Sequence, residues 1–129
     1  MNARRVAPLV GIAGSLAVLA ALAYPYLVLG DGAGAYFDSG VFNPLVAGLL
    51  ALVTIIVLAA GRQERTDPGF AAGVAMVFGL AIFAVLLAWA LTVRVDAVAL
   101  DPTHRWLTAA LAVPIPAGAA WFARSLGLL

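Results

Sequence analysis

The sequence lacks cysteine entirely, and charged residues make up only 10% of its 129 positions. Without cysteine the chain cannot form a disulfide, a thiolate metal site or a redox dithiol. A soluble domain carries about 25% charged residues, so this chain has too few charges to cover a water-exposed surface. Hydrophobic residues make up 65% of the chain, and its mean hydropathy is +1.11. These values indicate an integral membrane protein whose surface is largely solvated by lipid.

Asp, Glu, Lys, Arg and His are absent from four long segments, which are residues 6–30, 39–61, 68–93 and 106–123. Pumps, proton-coupled antiporters and voltage sensors need ionisable groups at membrane depth, so these classes are disfavoured. Ser15 and Thr54 lie deep in the segments and Thr108 lies nearer an end, and each hydroxyl can bond the carbonyl four residues earlier. The net charge of +1 gives no basic field for a nucleic-acid partner.

The four segments are long enough to predict membrane-spanning helices. A spanning helix needs about 20 mainly apolar residues, and the segments contain 25, 23, 26 and 18 residues. Three helix starts are marked by Asn43-Pro44, Asp67-Pro68 and Asp101-Pro102. Asn or Asp at such a position caps a backbone N–H, and proline has no N–H to leave unsatisfied in the first turn. Gly61 is expected to cap the end of the second helix.

We therefore predict an all-α protein, a four-helix transmembrane bundle that is antiparallel with up-down-up-down topology. One transmembrane domain is expected to cover residues 1–129. Its helices are predicted at about residues 6–29, 43–61, 68–93 and 102–125.

The first segment has the outline of a secretory signal peptide, because Arg4 and Arg5 precede it and residues 21–23 read Ala-Leu-Ala. The apolar stretch nevertheless continues to Leu29, which is too long for a signal peptide and favours a retained helix. Pro25 is expected to kink or end that helix near its outer end.

Arginine placement predicts the orientation in the membrane. Arg94 and Arg105 fall on one side of a four-span arrangement, and five arginines fall on the other side, namely Arg4, Arg5, Arg62, Arg65 and Arg124. Because positive charge is enriched in cytoplasmic loops, we expect a multi-pass cell-membrane protein with both termini in the cytoplasm.

Small residues at four-residue spacing predict close contacts between helices, because lipid leaves little hydrophobic drive for helix association. These residues are Gly11 with Ser15, Gly69 with Gly73, Ala75 with Gly79, and the stripe Ala13, Ala17 and Ala21. We interpret them as packing residues of a single bundle, with a homodimer seam as the alternative.

Pro114 and Pro116 lie inside the last segment, and each removes a helix hydrogen bond. The helix is therefore expected to bend or unwind around residues 113–116. Similar breaks in transporters can expose carbonyls to an ion or substrate. A tolerated kink, bridged by Thr108 or a neighbouring helix, is the favoured interpretation because no ionisable residue accompanies the break.

One group of mixed chemistry lies at the predicted outer rim and comprises Arg94, Asp96, Asp101, His104 and Arg105. A metal site needs more ligands than one histidine supplies, and a hydrolase needs a nucleophile, a base and an orienting group. These residues are therefore weak candidates for ligand binding, and an interfacial loop with helix caps is favoured. We predict no catalytic residue, no metal and no cofactor.

The regions around this rim are interpreted as interfacial structure. The aromatic residues expected there form a belt at the headgroups, and they are Tyr24, Tyr26, Tyr36, Phe37, Phe42, Trp89 and Trp106. Residues 30–42 are rich in glycine and are predicted to form an ordinary mobile loop.

A resemblance to known proteins depends on four features of the sequence. These are the start Met1-Asn2-Ala3-Arg4-Arg5, the helix opening at 43–49, the loop at 61–68 and His104-Arg105-Trp106 before the last helix. In these features the chain resembles small, uncharacterised four-span membrane proteins of halophilic archaea. That resemblance implies no activity.

The leading hypothesis is a non-enzymatic structural or accessory membrane protein that acts through helix–helix contacts. It would work alone, as a homo-oligomer or within a larger membrane complex, surrounded by lipid. The alternative is a small channel or carrier for a neutral or weakly polar solute, which depends on the Pro114/Pro116 break and on Gly73 and Gly79. A lipid-active enzyme that uses the His104 region is the least favoured possibility.

Overall fold

The computed structural model describes residues 2–30, 33–38, 43–92 and 103–129, with the side chains of Ala35 and Tyr36 outside the description. These parts of the chain form α1 (Ala3–Leu29), α2 (Ala33–Asp38), α3 (Leu45–Arg62), α4 (Pro68–Thr92), α5 (Thr103–Leu111) and α6 (Pro114–Ser125). Four helical stretches are long and apolar enough to cross a membrane, namely α1, α3, α4 and the joined Thr103–Ser125. The prediction of an all-α protein with four membrane-spanning helices is confirmed.

Asparagine and aspartate side chains cap the starts of three helices. The Asn43 Oδ1 accepts a hydrogen bond from the Leu45 N–H at 2.9 Å, and the Asp67 Oδ2 accepts one from the Phe70 N–H at 3.1 Å. The predicted caps before α3 and α4 are therefore confirmed, whereas Asp101-Pro102 lies outside the described residues. Asn2 caps α1 in the same way through the Arg4 N–H, so α1 begins three residues earlier than the predicted residue 6.

Gly61 does not cap the second span, so that prediction is wrong. The helix continues through Gly61 to Arg62, and Gly61 is buried against α4. A β-carbon placed on Gly61 would lie 2.5 Å from the β-carbon of Ala71, so glycine is needed there for close packing. The turn that follows α3 passes through Glu64, which has a left-handed φ of 59°.

Each spanning helix packs against two others. α1 contacts α3 and the α5–α6 segment, and α4 contacts the same two elements from the other side. In α1 and α3, Gly11 lies beside Leu58 and Leu22 lies beside Gly48, so residue numbers rise along one helix as they fall along the other. The end where α1 begins and α3 ends is called the arginine end, and the end where α5 begins is called the histidine end.

The buried face of α1 differs from the predicted alanine stripe. Gly11 and Ser15 are buried as expected, and Val18, Leu22 and Pro25 continue that face. Ala13 is exposed, because it lies on the other side of the helix. α1 also continues four residues beyond Pro25, so the proline does not end the helix.

Residues 33–38 form the short helix α2 rather than a mobile loop. Ala33 and Phe37 are four residues apart, so both lie on one helix face, and both are fully buried. Their burial against the bundle explains why this glycine-rich stretch is helical. α2 packs against α1 at the histidine end.

Candidate functional site at the histidine end

His104 lies in the first turn of α5, and its imidazole crosses to α1. The His104 Nε2 is 2.6 Å from the carbonyl oxygen of Ala21, and the side chain is only 9% exposed. A carbonyl oxygen only accepts hydrogen bonds, so Nε2 carries the proton in this contact.

Pro25 explains why the Ala21 carbonyl is available. In an α-helix this carbonyl would accept the N–H of residue 25, but proline has no N–H. His104 therefore supplies from α5 the donor that α1 lacks. The sequence contains both halves of this signal, a mid-helix proline and a lone histidine in another span.

Two aromatic rings contact the imidazole, one exposed and one buried. Tyr24 stacks on His104 with ring centroids 5.6 Å apart, and Trp89 meets His104 edge-on at 6.3 Å. Phe37 of α2 packs on Trp89 at 5.7 Å and on Tyr26 at 5.6 Å. We call these five residues the histidine cluster, because their contacts join α1, α2, α4 and α5.

Among the side chains that the structure describes, which exclude those of Tyr36 and Phe42, the expected aromatic belt is only partly present. Tyr24, Tyr26 and Trp106 are exposed, as residues at a membrane interface would be. Phe37 and Trp89 are instead fully buried in the histidine cluster. Their assignment to the interfacial belt is therefore wrong, because α2 covers Trp89 with a ring from a segment that was predicted to be a loop.

A groove of about 610 Å³ runs between α1 and α5 beside the histidine cluster. Its walls are Ala17, Ala20, Ala21 and Tyr24 from α1 and Thr103, His104, Leu107 and Leu111 from α5. Three of its lining residues are alanines, and Tyr24, Thr103 and His104 carry its polar side chains. Its shape and chemistry suit an apolar chain better than a polar substrate.

Not all of the predicted outer-rim residues can be placed. Arg94, Asp96 and Asp101 lie outside the described residues. His104 points into the bundle, whereas the Arg105 guanidinium lies 5.8 Å from the ring of its neighbour Trp106. Among the residues that the structure describes, no three His, Cys, Asp or Glu side chains come together to hold a metal.

The helix interruption at the two prolines is confirmed and is closely packed. α5 ends at Leu111 and α6 begins at Pro114, and the Ile115 N–H bonds the Ala112 carbonyl three residues back. A β-carbon on Gly79 would lie 2.8 Å from the Pro116 nitrogen, so α4 lies directly against the break. Gly14 of α1 approaches Pro114 from the other side.

The hydroxyl groups within the spans are satisfied locally. Ser15, Thr54 and Thr108 each donate a hydrogen bond of 2.7–2.9 Å to the carbonyl four residues earlier, as predicted. Thr108 bonds the His104 carbonyl and so does not bridge the proline break. Packing by the neighbouring helices supports the break instead.

The sequence model of the family described as "Family of unknown function (DUF7548)" matches residues 1–127. No curated protein and no solved structure matches the chain. The family description names no activity, so a proposal about function has to come from the geometry of the bundle.

Proposed function

The chain belongs to the DUF7548 family of unknown function, and we propose that it is a non-enzymatic structural or accessory membrane protein. It acts through contacts between its own helices and a transmembrane helix of another chain, either a second copy or a different membrane protein. The cytoplasmic location of both termini and the resemblance to proteins of halophilic archaea are still predictions from the sequence.

The outward face of α4 is the observation that carries this proposal. A shallow groove of about 650 Å³ lies along this face. It is lined by Gly69, Phe70, Gly73, Val74, Val77 and Phe78. Gly73 is exposed, and a β-carbon placed on it would have no atom within 4 Å.

The groove has the features of a surface against which a helix packs. Small residues four apart let two backbones approach closely in lipid, where van der Waals contact drives association. Gly69 and Gly73 form such a pair on α4, and the exposed side chains of Phe70 and Val77 also line the groove. A transmembrane helix of another chain would fill this shape.

Gly73 differs in this respect from the glycines that hold the bundle together. Gly11, Gly79 and Gly118 are buried against neighbouring helices within the chain. A β-carbon on Gly69 would lie 3.2 Å from the Leu128 side chain, so within the described residues the pair is open at Gly73. Contact with a transmembrane helix of another chain would explain why Gly73 is open while the other glycines are buried.

The histidine end also supports a non-enzymatic role. His104 is committed to the Ala21 carbonyl, and the hydroxyls of Ser15, Thr54 and Thr108 are committed to helix carbonyls. Catalysis by proton transfer or nucleophilic attack would have to break these bonds first.

The alternative function, a small channel or carrier, is still a prediction, and the proline break does not support it. Gly79 packs on Pro116 within the bundle, whereas Gly73 lies on an exposed face of α4. The residues that suggested one solute pathway therefore do not line a common space.

Site-specific crosslinking tests the helix–helix role, because the chain has no native cysteine. A photo-reactive crosslinker on Val77→Cys in intact membranes should give one defined adduct, either a dimer or a product with another protein. Adding Gly73→Leu should reduce that adduct at least about fivefold, because a long side chain would fill the groove.

The matched control is Ala117→Leu, which places the same side chain at an exposed position of α6. It should leave the adduct unchanged. A crosslinker at Leu52→Cys on the exposed face of α3 gives the background level. Adducts from Val77→Cys at that background, or adducts insensitive to Gly73→Leu, would refute the proposal.

A further inference from the structure

A second cavity, of about 400 Å³, lies at the arginine end and has a different chemistry. The start of α1, the end of α3 with its turn, the start of α4 and the end of α6 all border it. Arg4, Arg5 and Arg62 are among its polar lining residues, and Phe122 and Leu126 are among its apolar ones. We call it the arginine cavity.

The three arginines come from two helices that a hydrogen bond joins. The Arg62 Nε donates to the carbonyl oxygen of Arg5 at 2.8 Å, which holds the end of α3 against the start of α1. This bond uses one of the five guanidinium donors of Arg62. The contact joins Arg5 and Arg62, two lining residues of the cavity, although they are 57 residues apart in sequence.

Within the described residues, acidic side chains offset the positive charge of the arginine cavity only in part. Across the described part of the chain, Arg4, Arg5 and Arg62 form no ion pair with a carboxylate. Glu64 is the one acidic residue in the lining, against three guanidinium groups. Two helix starts and two helix ends meet here, so helix dipoles largely offset each other and the arginines determine the sign.

The position of the cavity indicates which class of anion it would bind. All four membrane-spanning stretches begin or end beside it, so it lies at the depth of the lipid headgroups. Guanidinium groups form paired hydrogen bonds with phosphate oxygens. Phe122 and Leu126 place apolar surface next to those donors, which suits a molecule that is anionic at one end and apolar at the other.

We propose that the arginine cavity binds the phosphate group of an anionic membrane lipid. Arg4, Arg5 and Arg62 contact the phosphate, and Phe122 and Leu126 contact the apolar part next to it. Glu64 opposes the lipid charge and limits the affinity. This site lies apart from the α4 groove and does not depend on the proposed helix–helix role.

Lipid retention by the purified full-length chain tests this site. In neutral detergent, native mass spectrometry should show one bound dioleoylphosphatidylglycerol per chain, with about tenfold preference over dioleoylphosphatidylcholine. Arg5→Gln should weaken phosphatidylglycerol binding about tenfold, because it removes a charge-assisted contact. Glu64→Gln should instead strengthen binding about threefold, since it removes the opposing charge.

Arg65→Gln is the matched control, because Arg65 is an exposed arginine at the same end that does not line the cavity. It should change binding less than about twofold. Equal losses in Arg5→Gln and Arg65→Gln would overturn the site, since they would indicate diffuse attraction. Equal binding of the two lipids would also overturn it. Inorganic phosphate that displaces the lipid at equal concentration would overturn the assignment to a lipid.

Discussion

At the arginine end, six of the eight residues in the buried cluster are alanine, and the other two are Leu58 and Phe122. Toward the histidine end, a second cluster of twelve buried residues contains only five alanines and includes the large side chains of Phe37, Ile82, Leu86 and Trp89. One half of the bundle therefore packs mainly small side chains, and the other half packs large ones.

The difference shows two ways to pack helices in lipid. In the alanine-rich half, backbones touch: a β-carbon on Gly118 of α6 would lie 2.7 Å from the backbone nitrogen of Gly11 in α1. In the other half, side chains fill the space between helices, and α2 covers them. The first arrangement is sensitive to added volume, and the second is sensitive to removed volume.

The largest effect is expected from a substitution that disrupts packing in the alanine-rich half. Gly118→Leu forces a side chain against the α1 backbone, which cannot move as a flexible side chain would. Overpacking usually costs about 1–3 kcal/mol, but here two helices must separate, so we expect no folded protein in detergent. Gly73→Leu, at an open glycine, should fold normally. The measurement is the yield of monodisperse protein on size-exclusion chromatography, and normal yields for Gly118→Leu would contradict the close contact.

The second largest effect is expected from a substitution that removes a large side chain from the other half. Trp89→Ala leaves a cavity under α2 and should lower the free energy of unfolding by about 3–5 kcal/mol. Trp106→Ala removes the same side chain from an exposed position of α5 and should change it by less than about 0.5 kcal/mol. Unfolding in sodium dodecyl sulfate, followed by circular dichroism, compares the two. Equal losses would mean that Trp89 is not part of the core.

The smallest effect is expected from the loss of one hydrogen bond at the histidine end. It sharpens the comparison of the two halves, because it separates this bond from the packing of large side chains. His104→Phe keeps a ring beside Tyr24 and Trp89 but removes the donor to the Ala21 carbonyl, which should cost about 1–2 kcal/mol. With Pro25→Ala, the N–H of residue 25 can satisfy that carbonyl, so the cost should fall below about 0.5 kcal/mol.

The same unfolding measurement on the four variants of this double-mutant cycle gives the coupling. An unchanged cost of His104→Phe in both backgrounds would show that the proline and the histidine act independently. A second span would then not compensate for the missing donor in α1.

Much of the fold could be predicted from local chemistry. The uncharged segments predicted four spans, and Asn43 and Asp67 predicted the starts of α3 and α4, because a side-chain cap acts within three residues. A loop was predicted between α3 and α4, but the left-handed backbone of Glu64 was not. The start of α1 at Ala3 was missed although Asn2 is a cap residue of the same kind.

The candidate site was less predictable because its contacts join distant segments. His104 was named as one weak ligand-binding candidate, grouped with its sequence neighbours rather than with Ala21 and Tyr24 of α1. The stripe Ala13, Ala17 and Ala21 looked like a packing seam, yet Ala17 and Ala21 line the groove beside His104. Four-residue spacing shows that residues share a face, but it does not show which face is turned inward.

The amino-acid sequence by itself determined that this chain forms four apolar helices, because transfer of uncharged segments to lipid and capping of their ends are local properties. Only the tertiary structure decided which glycines pack inside the bundle and which stay open, and that His104 meets the carbonyl released by Pro25. It also brought Arg5 and Arg62 to one cavity. Such pairings depend on how helices rotate and approach one another, which side-chain volumes across the whole bundle decide together.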